Sequence, residues 1–318
     1  MSENAGEIRN QGIDEKLMEL IETNTRKVPY FYEEGICNAF YIPVEGGEIR
    51  VFHHTPKKPI TKRPILFAPG FGTSMWAWRD FSLPFVEQGE FYFLETREKK
   101  SSKFKNRFRT KITVKQVAQD IGVIIHHLGL DKKDFVLFGT SYCGGAILKG
   151  LIDRILTAPS IVLVDPAPKL TYYRGLIAFL RFLPPFIIGI IRYLLGSIAL
   201  SGENNKAQRE RSKYVRNESV PWKWRKASTD MLRFNILNDL SGIKEEVIIF
   251  HGPPDKHHAP ALFEDVARRI PKARFFSALS SDDKRELACA VIGLEFCKIR
   301  AEDGIPDSIK PLEKSIAK

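Results

Sequence analysis

Short apolar runs alternate along this chain with longer stretches of helical spacing. RPILFAPGFG, EFYFLETRE, FVLFGT, IVLVDPAP, EEVIIFHGPPD and ARFFSAL each read as a buried strand. Between them, TVKQVAQDIGVIIHHLGL and AILKGLIDRIL place apolar residues on one helical face. Strands alternating with helices imply a mostly parallel sheet covered on both faces. IDEKLMELIE, near the start, also has a helical rhythm and belongs to a charged extension over residues 1–34.

The regular pattern is interrupted once, between IVLVDPAP and EEVIIFHGPPD, by an insertion over residues 169–243. Its first half, GLIAFLRFLPPFIIGIIRYLLGSIAL, is strongly apolar but broken by Arg181, Arg192 and the Pro184-Pro185 pair. A membrane-spanning helix needs about 18 or more apolar residues with few or no charges, which argues against a span here. Two short helices are expected instead, with apolar faces closing over a site mouth. Such a lid is also placed to meet an acyl chain or a membrane surface.

At 318 residues and 43% hydrophobic content the chain can bury one large core. Its formal charge of +11 is concentrated. Arg97 to Lys115 holds nine Lys or Arg against one Glu, and residues 169–243 hold thirteen against five acids, a net of +8 in each. A basic rim of this kind attracts anionic headgroups or a substrate carrying phosphate or carboxylate. KFKNRFR, Lys103 to Arg109, interleaves Phe104 and Phe108 with cations, a pattern that also serves RNA. No nucleic-acid module accompanies it, so nucleic acid is an unlikely partner. The four cysteines are widely spaced and read as reduced thiols, and MSENAGEIRNQ has no apolar core of a secretory signal. Cytoplasmic residence, peripheral to a membrane at most, is the expectation.

The candidate chemistry lies in FVLFGTSYCGG, where an apolar run leads through Gly139, Ser141 and Cys143 into a helical pattern. A strand, a sharp turn and a helix with serine at the apex form a nucleophile elbow, which demands small flanking residues. Gly139 meets that demand, while Cys143 stands where the pattern has glycine. Upstream, RPILFAPGFG ends in Pro69-Gly70-Phe71-Gly72 and is followed by a segment with Trp76 and Trp78. Together these segments resemble the α/β-hydrolase family, from about Gly35 to about Arg300 and in the family's order.

That resemblance implies an α/β-hydrolase fold: a mostly parallel sheet flanked by helices, with a helical cap inserted after the sixth strand. The core would occupy residues 35–168 and 244–301, the cap 169–243 and a polar tail 302–318. The family supplies one oxyanion donor from the loop after its third strand and another from the residue after the nucleophile, here Phe71 and Tyr142. Its acid commonly lies in a G-x-x-D loop after the seventh strand, which Gly252-Pro253-Pro254-Asp255 matches. Asp165, at the end of the sixth strand, is the runner-up, with a structural turn as its expected role.

The histidine that the family places after its eighth strand is missing: SALSSDDKRELACAV has Ser280, Ser281, Asp282 and Asp283 there. His257 and His258, just past Asp255, are the displaced-base candidates. His251 reads as a packed strand-end residue, and His126 and His127 as structural. ETREKKSS, Glu95 to Ser102, lacks the glycines that many members carry at that place. No cofactor is expected, and His257 and His258 alone make a poor zinc signature. Two readings follow. One is a serine hydrolase of a carboxylic ester or lipid-like acyl substrate; the other is a catalytically degenerate protein that binds a ligand, a partner or an anionic membrane surface.

Overall fold

Each apolar run forms a strand. In the computed structural model, which describes residues 13–25, 37–171, 174–201, 209, 220–253 and 260–316, the strands are β1 (Asn38–Val44), β2 (Gly47–His54), β3 (Ile65–Ala68), β4 (Phe91–Glu95), β5 (Val136–Thr140), β6 (Ser160–Val164), β7 (Val247–His251) and β8 (Ala273–Ser277). They lie in the order β1-β2-β4-β3-β5-β6-β7-β8, with a two-residue strand, Lys103–Phe104, paired to β2. β2 runs antiparallel to β1, to β4 and to Lys103–Phe104, and the remaining pairs are parallel. Every residue of β3 to β7 is buried. Burial on both faces is why these strands read as unbroken apolar runs.

The helices are α1 (Glu15–Asn24), α2 (Val114–His127), α3 (Ser141–Ile152), α4 (Arg174–Leu180), α5 (Pro185–Ser201), α6 (Pro221–Arg233), α7 (Pro260–Arg269) and α8 (Arg285–Lys298). One face of the sheet packs against Val117 and Ile121 of α2, Ile147 of α3 and Phe263 of α7. The other packs against Leu17 of α1, Val291 of α8 and Phe81 of the short 3-10 turn Met75–Ser82. Thr113 caps α2 by accepting from Gln116 N–H at 3.1 Å, an arrangement commonly worth about 1 kcal/mol.

The described part of the N-terminal extension is integral to the core. Leu17 and Ile21 are buried, and Asp14 accepts from Ser277 Oγ at 2.7 Å and from Leu279 N–H at 2.9 Å. This carboxylate therefore fastens the chain just beyond β8. Charge alone made the segment look like an appendage; the two apolar positions one helical turn apart decide otherwise.

The insertion between β6 and β7 carries α4, α5 and α6. Its two ends are tied by a bridge between Lys169 and Asn235 and by Ile236 N–H donating to Pro168 O at 3.0 Å. The expected inward apolar faces are only partly realised. Ile177, Leu180 and Ile188 are buried, whereas Phe179, Phe182, Phe186 and Ile190 are exposed. No described helix is long and apolar enough to cross a membrane. The cysteines are free thiols; Cys37 is half-buried and the other three are buried.

Candidate active site

Ser141 follows β5 directly and opens α3 with φ at 46°, in the left-handed region that a serine seldom adopts. Holding a residue there costs on the order of 1–3 kcal/mol and requires surrounding structure to enforce it. Close backbone approach supplies that enforcement. A Cβ on Gly139 would lie 2.5 Å from Ile147 Cδ1 and 3.3 Å from the Gly144 backbone, so a side chain before the turn would displace Ile147 and crowd the helix. On the helix side the tight positions are Gly144 and Gly145, where a Cβ would meet Pro166 at 2.9 Å and Ala167 O at 2.2 Å.

Cys143 therefore fits without disturbing the turn: it is fully buried in the core, and the close approach falls one and two residues later. The motif-based reading singled out Cys143 and gave Gly144 and Gly145 no role, although both were visible in the sequence. Burial pushes the Cys143 thiol up to about 12, against the pull of the nearby Lys99 charge, so it carries no thiolate at neutral pH.

The loop after β3 lies against the elbow. A Cβ on Gly70 would be 3.6 Å from Ser141 Cβ, and the rings of Phe71 and Tyr142 meet edge to face with centroids 5.3 Å apart. Ser141, Phe71 and Tyr142 are thus brought together at the carboxyl edge of β3 and β5.

A buried charged pair, which the motif reading did not find, grips this loop. Lys99 Nζ donates to Glu98 Oε1 at 2.6 Å, to Thr96 Oγ1 at 2.9 Å and to Gly70 O at 3.0 Å. Glu98 Oε1 also accepts from Gly72 N–H at 3.3 Å. Both side chains are buried. Burial raises the Glu98 pKa, but Lys99 outweighs it by charge and hydrogen bonding, and the carboxyl stays below its usual value. The pair stands in ETREKKSS, where family glycines are absent; that departure was the available signal.

From the insertion, Lys223 on α6 donates to Lys99 O and Ser102 O, each at 2.6 Å, and Lys226 donates to Phe108 O and Thr110 O. α6 is thereby fastened to the loop that follows β4. These contacts take part of the charge counted towards a basic rim into the interior. Arg97 is buried in a bidentate pair with Asp120, and Lys99 and Lys223 are buried too. A formal charge count registers such interior cations and surface ones alike. Phe104 packs partly against the core beneath Arg97 and Lys223, while Phe108 is exposed.

Asp165, at the end of β6, has φ at 49° and is buried. Its Oδ1 accepts from Gly252 N–H at 3.0 Å, and its Oδ2 lies 2.8 Å from Arg285 Nη2. Arg285 begins α8, two residues beyond Asp283 and the stretch Ser280 to Asp283 in which the family's histidine is expected. His251 is buried with its Nδ1 3.5 Å from Asp165 Oδ1, and neither ring nitrogen has a hydrogen-bond partner among the described residues. Its ring stacks on Phe263 with centroids 6.1 Å apart.

Asp255, His257 and His258 lie outside the described residues. Of the other histidines, His53 pairs with Glu90 at 2.9 Å, His54 with Val86 O at 2.8 Å and His126 with Asp131 at 2.7 Å, and His127 is exposed at the end of α2. Among the described residues no three His, Cys, Asp or Glu side chains are grouped as metal ligands.

No protein-family model matches the sequence, and no curated protein matches it. Solved structures do. A hydrolase from Pseudomonas aeruginosa PA01 superposes with a TM-score of 0.63 at 14% identity, covering 81% of this chain and 98% of the other. An esterase from Exiguobacterium antarcticum gives 0.61 at 17% identity, covering 76% and 90%. An enol-lactonase from Burkholderia xenovorans LB400 gives 0.59 at 15% identity, covering 75% and 90%.

Proposed function

On the α/β-hydrolase fold that this chain has, we propose a serine hydrolase that acts on a carboxylic ester or a lipid-like acyl substrate through Ser141. The observation that carries this reading is the strained backbone of Ser141, at φ 46°, beside the Phe71 loop. Strain of this kind persists where surrounding packing enforces it, and it lifts a serine hydroxyl to the apex of the turn.

In this mechanism Ser141 Oγ attacks the acyl carbonyl carbon while a base takes its proton. The carbonyl oxygen gains the negative charge of the tetrahedral intermediate, and the N–H groups of Phe71 and Tyr142 receive it. Glu98 and Lys99 act as positioning residues, since they hold the Gly70–Gly72 loop that bears one donor. His257 or His258 serves as base with Asp255 as its acid, and the base then returns the proton to the departing alkoxide. Asp165 is not the acid in this reading, because Arg285 and the Gly252 N–H already engage it. The α4 to α6 insertion acts as the cap over an acyl substrate. The esterase and the enol-lactonase among the structural neighbours agree with the substrate class.

The second reading, a catalytically silent protein that binds a ligand, has one observation in its favour: Arg285 and Asp165 form an ion pair next to the place where a base is expected. Intact mass after treatment with a small fluorophosphonate separates the two. A single adduct, lost in Ser141→Ala and weakened in His257→Ala or His258→Ala, supports the hydrolase. No adduct on the wild type, even in mild detergent, rejects it.

A further inference from the structure

The outer side of α4 and α5 carries an apolar face that neither the elbow nor the oxyanion loop uses. Phe179 on α4, Phe182 in the turn between the two helices, and Phe186, Ile190, Tyr193 and Leu194 on α5 are exposed there, Phe182 at 73% and Phe186 at 68%. Positions 186, 190, 193 and 194 recur at helical spacing, so they form one stripe along α5. The opposite side of that helix is committed to the protein. Ile188 is fully buried, and a Cβ on Gly189 would come 3.1 Å from Pro221 Cγ at the start of α6. The stripe is thereby fixed outward.

Contiguous exposed apolar surface of this kind is uncommon on monomeric proteins unless something covers it. Charge indicates what does. From Lys169 to Ser201 the sequence has four cations, Lys169, Arg174, Arg181 and Arg192, and no Asp or Glu. Arg174 and Arg181 are exposed, and the Arg181 guanidinium lies 4.6 Å from the centroid of the Phe182 ring. Aromatic and aliphatic side chains bordered by arginines, with no acid to repel a phosphate, match the interface of an anionic bilayer. α5 has 17 residues and is about 25 Å long, short of a bilayer core of about 30 Å, so it suits lying in the interface.

We infer that the outer face of α4 and α5 docks this protein on an anionic lipid surface, with Phe182 and Phe186 inserted among the acyl chains and Arg181 at the phosphates. The inference rests on these two helices alone and stands apart from any chemistry at Ser141.

The test is partition of the full chain onto phosphatidylglycerol/phosphatidylcholine vesicles and onto pure phosphatidylcholine vesicles, followed by co-sedimentation. Partition onto the anionic vesicles should be at least tenfold stronger and should fall as salt is raised. Arg181→Glu should weaken it by tenfold or more, since each cation near such a surface contributes about fivefold and reversal removes one attraction and adds a repulsion. Phe182→Ser/Phe186→Ser should weaken it at least tenfold while leaving the denaturation midpoint in place, because both side chains are already in solvent. Equal binding to neutral vesicles, no binding to either kind, or unchanged binding by the double variant would overturn the inference. So would a wild-type dimer that the phenylalanine substitutions dissociate, since a second copy would then be the occupant of this face.

Discussion

Arg285 Nη2 lies 2.8 Å from Asp165 Oδ2, joining the first residue of α8 to the end of β6 across 120 positions of sequence. The Asp165 side chain is 1% exposed and that of Arg285 24%, so solvent screens the pair little. Removing Arg285 takes away the cation that lies against the buried Asp165 carboxylate, which keeps the Gly252 N–H. Arg285→Met should lower stability by about 3 kcal/mol in urea denaturation, because breaking a buried pair leaves the remaining charge poorly compensated. Asp165→Asn/Arg285→Met should recover part of that loss. A single variant as stable as the wild type would mean that the pair contributes nothing to holding this edge of the sheet.

Ser141 at φ 46° carries strain that glycine would not. Ser141→Gly should raise stability by about 1 kcal/mol, the relieved strain exceeding the extra unfolded-chain entropy, and should abolish the fluorophosphonate adduct. Gain of stability with loss of reactivity is the expected signature of a residue kept for chemistry. A less stable Ser141→Gly protein would remove that argument.

Lys223 links charge to pH. Burial pushes its pKa down to about 8, with Glu98 pulling it upward and Arg97 adding to the depression. An unfolded lysine titrates near about 10.4. Between these values the unfolded chain binds more protons at this site than the folded one, so the contribution of Lys223 to stability increases as pH rises. Relative to Lys223→Met, the wild type should gain about 2 kcal/mol in urea denaturation between pH 7 and pH 10. A constant difference, or one that shrinks, would show that the ammonium form is not penalised by its burial.

Much of the core and part of the site could be read from the chain. RPILFA, FVLFGT and VIIFH are runs that only strands buried on both faces would carry, and Gly139 and Ser141 stand at the turn because so few residues fit it. The spacing rule places the second close approach at Cys143, whereas the helix meets Pro166 and Ala167 through Gly144 and Gly145. Motif spacing records where backbones usually touch, and the actual contact depends on how the following chain returns over the helix.

The sequence by itself determined the order of strands and helices, the elbow and the loop that faces it. Those features are local: apolar periodicity and small residues act within a few positions of one another. Tertiary structure alone decided that Arg97, Lys99 and Lys223 lie inside, that Arg285 reaches Asp165, and which side of α5 faces outward. A charge has the same formal count in water and in a core, and a helix apolar on most sides carries no mark of its inner face. Only the packed partners, Pro221 against Gly189 and Asp120 against Arg97, fix those choices.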